Sequence, residues 1–523
     1  MEDLKPYLRN KKLNKVEAQK ASKDGLQIRD ELERFAKIGW EEMDETDLKL
    51  RLKWFGMFWR PKTPGKFMLR LRIPNGILTA KQLKIIASIV GRYGENGSCD
   101  ITTRQNLQLR GILISDLPQI LSYLSEVGLS TVQSGFDNPR NVTGNPLAGI
   151  DPEEIIDTRI YTERLNKYLT RDGNGNSDFS NLPRKWNTAV AGSKDNFLLH
   201  NDIVFHPVQK EGALGFGVWV GGILSSVMNA YAVPLNAWIP EHDICRITDI
   251  ICKIWRDNGE RNIRPKGRFR LYLDSVGIDH FRKEVEKQFG HLEKDPGSVF
   301  NKSPRSHYGI HPQKQSGLNY AGIHIPVGRL TAEDLHQFAA ISSRYGASEI
   351  RLTEDQNLII VGIPNERIKE FSEENHFQNF PLKPGGVSSG TVSCTGSTFC
   401  SFAITNTKDK AKEIAQELDL ELDIPQEIKI HWTGCPNSCG QAYMGAIGLT
   451  GTKTRSISGE TVEAYHVTVG GSQGYLPQVG VLKNKAVPHD KVKGIIKEIL
   501  IKEFGAQPKT VPKTNEIRIP LAA

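Results

Sequence analysis

The stretch IPNGILTAKQLKIIASIVGRYG at residues 73–94 recurs as IPVGRLTAEDLHQFAAISSRYG at residues 325–346, an offset of 252 residues. The offset hardly changes along the chain, because TTRQNLQLRGI at 102–112 returns as TEDQNLIIVGI at 353–363, and VWVGG at 218–222 returns as VTVGG. Chance similarity does not keep a near-constant offset over so long a span. The sequence therefore predicts two related halves of about 250 residues each.

Both halves show the same order of predicted elements. Thr79 and Thr331 stand where a helix N-cap belongs, and Gly94 and Gly346 stand where those helices end. Segments with alternating apolar residues come before and after each helix and predict strands. Repeated strand–helix–strand units of this kind indicate an α+β or α/β fold with mixed sheets.

Composition restricts the class of protein. Apolar residues make up 38% of the 523 residues, which is enough to form sizeable cores. The sequence has no run of eighteen apolar residues, so no membrane span is predicted. Since the first residues lack the apolar segment of a secretory signal, we expect a cytoplasmic protein. A net charge of +8 without a long Lys/Arg block gives no sign of nucleic-acid binding. The charge fits either a solvated surface or a basic face that attracts an acidic partner.

Four of the seven cysteines form two short motifs in the second half. Cys394 and Cys400 belong to CTGSTFC, and Cys435 and Cys439 belong to CPNSC. Clustered cysteines in a cytosolic chain predict a metal site before a disulfide. Structural zinc usually takes closer pairs than C-x5-C, whereas four thiolates suit an iron–sulfur cube. A zinc site and four ordinary core thiols remain the alternatives.

Glycines near these cysteines support a metal centre. Gly396, Gly434 and Gly440 would let the backbone approach an inorganic core, and Pro436 would stiffen the second turn. The other cysteines are predicted to be core residues, two of them at helical spacing; they are Cys99, Cys245 and Cys252.

Basic residues of the first half occupy positions related to this site. TTRQ places Arg104 on a predicted strand, and its counterpart in the second half is Asp355, so the charge is reversed between the copies. Arg140 lies in the turn-rich segment NPRNVTGNP. Lys185 lies in LPRKWN, two residues before Asn187, in a loop expected to mirror the CPNSC loop. For any one cation a solvated surface is the commoner explanation, but the repeat favours a functional one for Arg104 and Lys185.

The motif CTGSTFC followed by TGCPNSCGQ resembles the signature of the sirohaem-containing nitrite and sulfite reductases. The segment LKWFGMFWRPKTPGKFMLRLRIPNG is similar to the ferredoxin-dependent, nitrite-reducing members from cyanobacteria. The resemblance implies ferredoxin-like strand–helix–strand units around a central cofactor. It also implies five segments, an N-terminal helical extension followed by a ferredoxin-like half-domain and a cofactor-binding domain in each copy: 1–60, 61–128, 129–305, 306–386 and 387–523.

Cofactors and site residues follow from the same resemblance. It implies that Cys394, Cys400, Cys435 and Cys439 hold a [4Fe–4S] cluster and that Cys439 bridges to a sirohaem. Arg104, Arg140 and Lys185 would bind the substrate anion. Asn187 stands where sulfite-type members tend to have lysine, which resembles the nitrite type. Arg70 and Arg72 would hold carboxylates of the macrocycle.

The implied activity is the six-electron reduction of nitrite to ammonia. No GxGxxG motif follows a predicted strand, so NAD(P)H binding is not expected and ferredoxin would supply the electrons. GFGVWVGG has the wrong spacing for that motif and is predicted to form a strand. Two copies of the fold make a monomer sufficient for the site. Three alternatives stay open, namely a ferredoxin-dependent sulfite reductase, a non-catalytic iron–sulfur electron carrier and a zinc-stabilised binding module.

Overall fold

A computed structural model describes residue 8 and residues 12–300, 305–456, 458–474 and 476–509. The α-helices of this part of the chain are α1 (Lys15–Ser22), α2 (Leu32–Ile38), α3 (Glu45–Lys49), α4 (Ala80–Tyr93), α5 (Leu117–Glu126), α6 (Arg159–Thr170), α7 (Ile244–Asn258), α8 (Phe269–Val276), α9 (Ile278–Phe289), α10 (Ala332–Tyr345), α11 (Ile368–Ser372), α12 (Gly386–Gly390), α13 (Lys408–Glu421) and α14 (Val492–Phe504).

The strands of the first half are β1 (Met57–Phe58), β2 (Phe67–Arg70), β3 (Ile77–Thr79), β4 (Ser98–Ile101), β5 (Leu107–Ile112), β6 (Thr143–Gly144), β7 (Thr188–Val190), β8 (Ile203–Lys210), β9 (Ala213–Val220), β10 (Ile223–Leu224), β11 (Asn229–Ala230) and β12 (Val233–Pro240). Those of the second half are β13 (Gly309–Pro312), β14 (Leu318–Ile323), β15 (Arg329–Thr331), β16 (Glu349–Leu352), β17 (Leu358–Pro364), β18 (Thr391–Ser393), β19 (Leu422–Asp423), β20 (Ile430–Thr433), β21 (Ile447–Arg455), β22 (Thr461–Val469), β23 (Val481–Pro488) and β24 (Gln507–Pro508).

Two five-stranded sheets exchange a strand. One has the order β1-β2-β5-β4-β15 and the other has the order β13-β14-β17-β16-β3, so each half contributes one short strand to the sheet of the other half. The exchanged strands pair antiparallel with β4 and β16, respectively. Helices α4 and α10 contact each other next to these strands, and one apolar core includes residues of both halves. The halves are therefore interlocked.

Capping boxes begin the two central helices, as the sequence predicts. The Thr79 hydroxyl accepts from the backbone N–H of Gln82, whose side chain accepts from the backbone N–H of Thr79. Thr331 and Asp334 form the same pair at the start of α10. Each cap contributes about 1 kcal/mol to helix stability. The predicted N-termini of both repeat helices are confirmed.

Two other five-stranded sheets also match one another. Their orders are β12-β9-β8-β7-β6 and β23-β22-β21-β20-β18. In each order the last three strands are parallel to one another, and the first two pair antiparallel. The predicted mixed sheets are confirmed. Ala189 pairs with Thr143 in the first sheet and His431 pairs with Val392 in the second, so β7 corresponds to β20.

This register corrects one expectation from the sequence. Lys185 precedes β7, whereas the CPNSC motif follows β20, so the two loops lie at opposite ends of equivalent strands and do not mirror one another. An offset of 249 residues joins VWVGG of β9 to VTVGG of β22, but it does not join these two loops. Chain length between the equivalent strands differs between the copies, and the sequence pattern does not reveal where.

Residues 169–183 and 301–320, whose sequences are typical of loops, contain some regular structure. The segment 301–320 contains β13 and the start of β14, which form an antiparallel hairpin, and residues 301–304 lie outside the described part. The segment 169–183 begins inside α6 and is irregular only beyond Thr170. Near the N-terminus, α1 lies against the first half, where Lys20 donates to Asp137 Oδ2 at 2.9 Å and to the Leu182 carbonyl at 2.8 Å.

Candidate active site between the two halves

Parallel strands bring the two cysteine motifs together. Cys394 follows β18 and Cys435 follows β20, and these strands are neighbours. The backbone N–H of Cys394 donates to the Trp432 carbonyl at 3.0 Å, and the Gly434 N–H donates to Cys394 Sγ at 3.2 Å. The pKa of the Cys435 thiol is raised to about 11, mainly by burial; the Asn437 N–H opposes this rise, and the other three thiols contribute to it as neighbouring negative charges. All four line one cavity.

The arrangement of these thiols distinguishes between metal centres. Among the described residues, no three His, Cys, Asp or Glu side chains converge on a position for a single ion. A zinc site requires such convergence, whereas an iron–sulfur cube takes one thiolate at each of four separate irons. Four thiols around a common cavity therefore fit a cube and argue against the zinc module.

The glycines near the cysteines are constrained by neighbouring protein atoms. Only Gly396 of the three has a left-handed backbone, with φ at 71°, and a Cβ there would come within 2.6 Å of the Thr407 nitrogen. A Cβ on Gly440 would come within 2.0 Å of the Trp432 carbonyl. These glycines are required by neighbouring protein atoms, so they shape the loops without themselves showing the approach of an inorganic core.

Arg104 lies in a turn and not on a strand, which corrects the prediction from the sequence. Residues 102–106 connect β4 to β5, and Gln105 has a positive φ of 52°. The Gln105 amide holds this turn by exchanging hydrogen bonds with the backbone of Gly144. Gln356 does the same with Ser393 in the second half, at a φ of 64°. The repeat therefore preserves the turn while one copy presents arginine.

The counterpart of Arg104 is engaged elsewhere. Asp355 forms an ion pair with Lys429 at 2.7 Å. The two equivalent residues therefore lie in different environments. Arg104 lines a cavity with other cations, whereas Asp355 is a carboxylate paired with Lys429.

Predicted residues of both halves line two adjoining cavities. The larger is lined by the four thiols and by basic side chains that include Arg60, Arg70, Arg104 and Arg140. The smaller is lined by Lys185, Asn187, Arg104 and Cys439, among others. Both cavities include Arg104 and Cys439 in their walls. The structure therefore brings Cys439 and the predicted substrate residues together.

The cations of this site lower the pKa values of one another. Burial lowers the pKa of Arg104, and it lowers the pKa of Arg140 and of Lys185 well below their usual ranges. Neighbouring cations add to these shifts, Arg70 for Arg140 and Arg104 for Lys185. The pKa of Arg70 falls to about 9 for the same reasons. Repulsion of this kind is relieved when an anion occupies the site.

Unsatisfied donors point to the same occupant. Within the described part of the chain, the Nε atoms of Arg60, Arg104 and Arg140 are buried without a hydrogen-bond partner. Buried guanidinium donors are rarely left without an acceptor. A cavity with several such donors beside four thiols fits a polycarboxylate tetrapyrrole next to an iron–sulfur cube.

Arg72 has a role different from the predicted one. Its guanidinium is buried and donates to Asn166 Oδ1 at 2.9 Å and to the carbonyls of Pro139, at 2.8 Å, and Arg140, at 3.0 Å. It does not line the two cavities described above. Arg72 thus supports the loop that carries Arg140, and its donors are not available to carboxylates of a macrocycle.

Asn187 is held by a buried carboxylate. Its side-chain N–H donates to Asp202 Oδ2 at 2.7 Å, and its backbone N–H donates to the same oxygen at 2.9 Å. Arg268 forms an ion pair with Asp202 at 3.2 Å. Sequence reasoning missed Asp202 and Arg268, because no motif or repeat offset distinguishes them from other charged residues. It also missed Arg60, which lies in the segment LKWFGMFWRPKTPGKF without being singled out there.

The remaining predictions concern the core. Cys99 on β4 and Cys252 on α7 are fully buried, and Cys245 packs at the edge of the same core as Cys252, which confirms the structural interpretation. GFGVWVGG lies mostly in β9, as expected. None of the helices in the described ranges has the length and apolar character needed to cross a membrane.

Two family models match this chain twice each. The model described as "Nitrite and sulphite reductase 4Fe-4S domain" matches residues 135–292 and 388–501. The model described as "Nitrite/Sulfite reductase ferredoxin-like half domain" matches residues 60–127 and 311–376. The matches alternate along the chain and reproduce the internal duplication.

Curated relatives cover nearly the whole chain. The ferredoxin–nitrite reductase of Synechococcus elongatus is 48% identical, over 95% of this chain and 98% of its own length, and that of Leptolyngbya laminosa is 46% identical, over 95% and 98%. The chloroplastic enzyme of Arabidopsis thaliana is 42% identical, over 91% and 84%. The solved structure of the Mycobacterium tuberculosis NirA protein has a TM-score of 0.88 at 29% identity and covers 96% of this chain and 95% of its own. The duplicated fold, the paired cysteine motifs and these matches show that the chain belongs to the nitrite and sulphite reductase family.

Proposed function

We propose that this protein reduces nitrite to ammonia with six electrons from reduced ferredoxin, at a sirohaem coupled to a [4Fe–4S] cluster. The observation that carries the proposal is the lining of the smaller cavity, where Cys439 of one half lies together with Arg104 and Lys185 of the other. The relatives named as ferredoxin–nitrite reductases support nitrite and ferredoxin as reactants.

Each cofactor has its own set of residues. Cys394, Cys400, Cys435 and Cys439 are the proposed cluster ligands, and Cys439 is the thiolate shared with the sirohaem. Arg70 and Arg60 face the larger cavity and suit carboxylates of the macrocycle. When bound, the two cofactors supply the redox chemistry that side chains cannot perform. A non-catalytic electron carrier would have no use for the cationic pocket.

The substrate residues act through charge and donor geometry. Arg104 and Lys185 present positive charge to the smaller cavity, Arg140 presents it to the adjoining one, and Asn187 is oriented by Asp202. Donors fixed in a site with little water stabilise negative charge that develops on the nitrite oxygens, because the protein does not need to reorganise. Proton donation to those oxygens promotes cleavage of the N–O bonds.

Sulfite reduction is the second candidate, since the family includes enzymes for both anions. Asn187 favours nitrite, because it leaves the pocket with one cation fewer than a lysine would give. The curated relatives named above are nitrite reductases. Turnover of the purified holoenzyme with nitrite and with sulfite, using one reduced ferredoxin, tests the choice. We expect about six ferredoxins oxidised per ammonium formed and a much lower rate with sulfite, and the reverse preference would contradict the proposal.

Organisation and location belong to the same proposal. The division at 1–60, 61–128, 129–305, 306–386 and 387–523 is supported by the ranges of the family models. An active monomer is supported by a site that both halves of one chain complete. Seven cysteines without a disulfide suit a reducing cytoplasm. Sedimentation of the active enzyme would test whether it is a monomer, and fractionation of cells would test the cytoplasmic location.

A further inference from the structure

The N-terminal helix α1 has no role in the account so far, yet one of its side chains reaches the segments that carry substrate residues. The side chain of Lys20 is 1% exposed, and it donates to Asp137 Oδ2 at 2.9 Å and to the Leu182 carbonyl at 2.8 Å. Asp137 lies three residues before Arg140, and Leu182 lies three residues before Lys185. One ammonium group therefore binds both segments at once.

Backbone hydrogen bonds connect this ammonium group to the site. The N–H of Leu182 donates to the Asp137 carbonyl at 3.1 Å. Further along, the N–H of Trp186 donates to the Asn138 carbonyl at 3.2 Å, and the N–H of Arg140 donates to the Trp186 carbonyl at 2.7 Å. The two segments therefore lie side by side, from the ammonium group to the residues that line the cavities.

A buried network of ion pairs holds Lys20 in place. Glu17, on the preceding turn of α1, lies 2.6 Å from the Lys20 ammonium and 2.5 Å from a guanidinium nitrogen of Arg261. Arg264 donates to both carboxylate oxygens of Asp137, at 2.9 and 3.0 Å. Burial alone would raise the pKa of Asp137, but Lys20 and Arg264 lower that pKa below its usual range. The carboxylate is therefore ionised, and cations fix it from two elements.

Attachment of the helix does not by itself explain a buried lysine. A buried ion pair contributes little net stability compared with apolar packing, because both charges lose their water. Apolar side chains on α1 would attach the helix equally well. An ammonium group with three donors can, in addition, hold two segments at a fixed distance from one another, which an apolar side chain cannot do.

We propose that Lys20 of the N-terminal helix is a positioning residue for the substrate site, an inference that rests on the proposed function. Lys20 fixes the spacing between the segment that carries Arg140 and the segment that carries Lys185. Neither Lys20 nor Asp137 lines the two cavities, so both act through these segments and not by contact with the anion. Misplacement of a binding group by about 1 Å can cost about 100-fold in rate, so a small change in this spacing should affect the site.

Equilibrium binding of nitrite to the Lys20→Met holoenzyme tests the positioning role. In this variant Asp137 keeps Arg264 and Glu17 keeps Arg261, so no buried carboxylate loses its last cation and the fold should survive. Titration of the sirohaem spectrum with nitrite gives the Kd without turnover, in protein of measured cofactor content. We expect the Kd to rise about tenfold, the size of coupling common within one hydrogen-bonded network. A wild-type Kd would overturn the proposal.

Hydrogen exchange tests the same role without nitrite and without turnover. In Lys20→Met, the peptides that contain Leu182, Trp186 and Arg140 should exchange their amide protons at least about tenfold faster, because the two segments open locally. The peptide that contains Cys394, in the second half, should exchange at the wild-type rate and serves as the internal reference. Unchanged exchange in the first set of peptides would overturn the proposal. An equal rise in both halves would also overturn it, since it would show a general loss of stability.

Further variants keep the test decisive. Lys15→Met changes an exposed lysine of the same helix and should keep the wild-type Kd and exchange rates. If Lys20→Met does not fold, Lys20→Gln takes its place, because its donors lie on a side chain one bond shorter and cannot hold both segments. Wild-type Kd and wild-type exchange in Lys20→Gln would then overturn the proposal. Wild-type protein whose sirohaem spectrum does not respond to nitrite would contradict the proposed function instead, while the exchange experiment would still decide the role of Lys20.

Discussion

The Thr103 hydroxyl donates a hydrogen bond to the backbone oxygen of Cys439 at 3.2 Å, across a sequence separation of 336 residues. This bond joins the turn that carries Arg104 to the loop that carries the last cysteine. The two halves are therefore held in register at the point where the thiolate centre meets the cationic pocket. Interlocked sheets alone would leave these two loops free to shift.

Replacement of Lys185 with alanine should leave both cofactors in place and remove most turnover. Lys185 lines the smaller cavity without an ion pair to a described residue, so its charge is available to the substrate. We expect kcat/KM for nitrite to fall about 100-fold or more, as for loss of a preorganised charge stabiliser. Steady-state kinetics on protein with measured cofactor content checks this. Lys194→Ala, at an exposed neighbouring position, is the control, and wild-type turnover of a fully loaded Lys185→Ala enzyme would remove Lys185 from the mechanism.

Replacement of Cys439 with serine should separate the two redox centres. Cys439 lines both cavities, and a serine oxygen is a poorer ligand for a soft iron–sulfur centre. We expect a changed sirohaem absorption spectrum and activity lowered by at least about 100-fold. Cys245→Ser, on α7 and away from the site, should behave like the wild type. An unchanged spectrum with full activity in Cys439→Ser would show that another residue bridges the centres.

Arg72→Gln should reduce stability more than it changes catalysis by folded enzyme. The guanidinium donates to three backbone carbonyls and one side chain beneath the Arg140 loop, and shortening it leaves those acceptors unpaired. We expect a loss of about 3 kcal/mol in the free energy of unfolding. Denaturant unfolding measures this, with exposed Arg92→Gln as the control. Selective loss of sirohaem at unchanged stability would instead support a direct contact with the macrocycle.

Turnover with ferredoxin should depend on salt. The net charge of +8 favours encounter with an acidic partner, and this attraction is screened within about 8 Å at physiological ionic strength. We expect the apparent KM for ferredoxin to rise with added salt while turnover with a small artificial donor changes little. A flat KM for ferredoxin over the same range would exclude electrostatic steering.

Local signals in the sequence were sufficient to predict where the central helices begin and that the fold is duplicated. Thr79 and Thr331 begin their helices as predicted because a capping box depends on residues within one turn. The repeat offset likewise identified the two copies. It could not reveal that β3 and β15 are exchanged between sheets, because strand pairing depends on contacts far apart in the chain.

The site could be predicted only in part. The cysteines and arginines that lie in distinctive motifs were identified from the sequence. Arg104, however, was expected on a strand because TTRQ alternates as a strand does. In the structure a positive φ at Gln105 turns the chain at this point. Arg72 and Arg70 looked equivalent in sequence, yet Arg72 gives its donors to the folded loop, whereas Arg70 donates once to that loop, at Ser134, and also lines the larger cavity. Asp202 carries no local signal because its partners come from other elements.

The composition of the purified protein tests the central claim most directly. A tetrapyrrole and an iron–sulfur cube at the junction of the halves predict visible absorption bands of a sirohaem, about five irons for every four acid-labile sulfides, and a spectral change when nitrite is added. A colourless protein, or one containing zinc in place of iron and sulfide, would contradict the account.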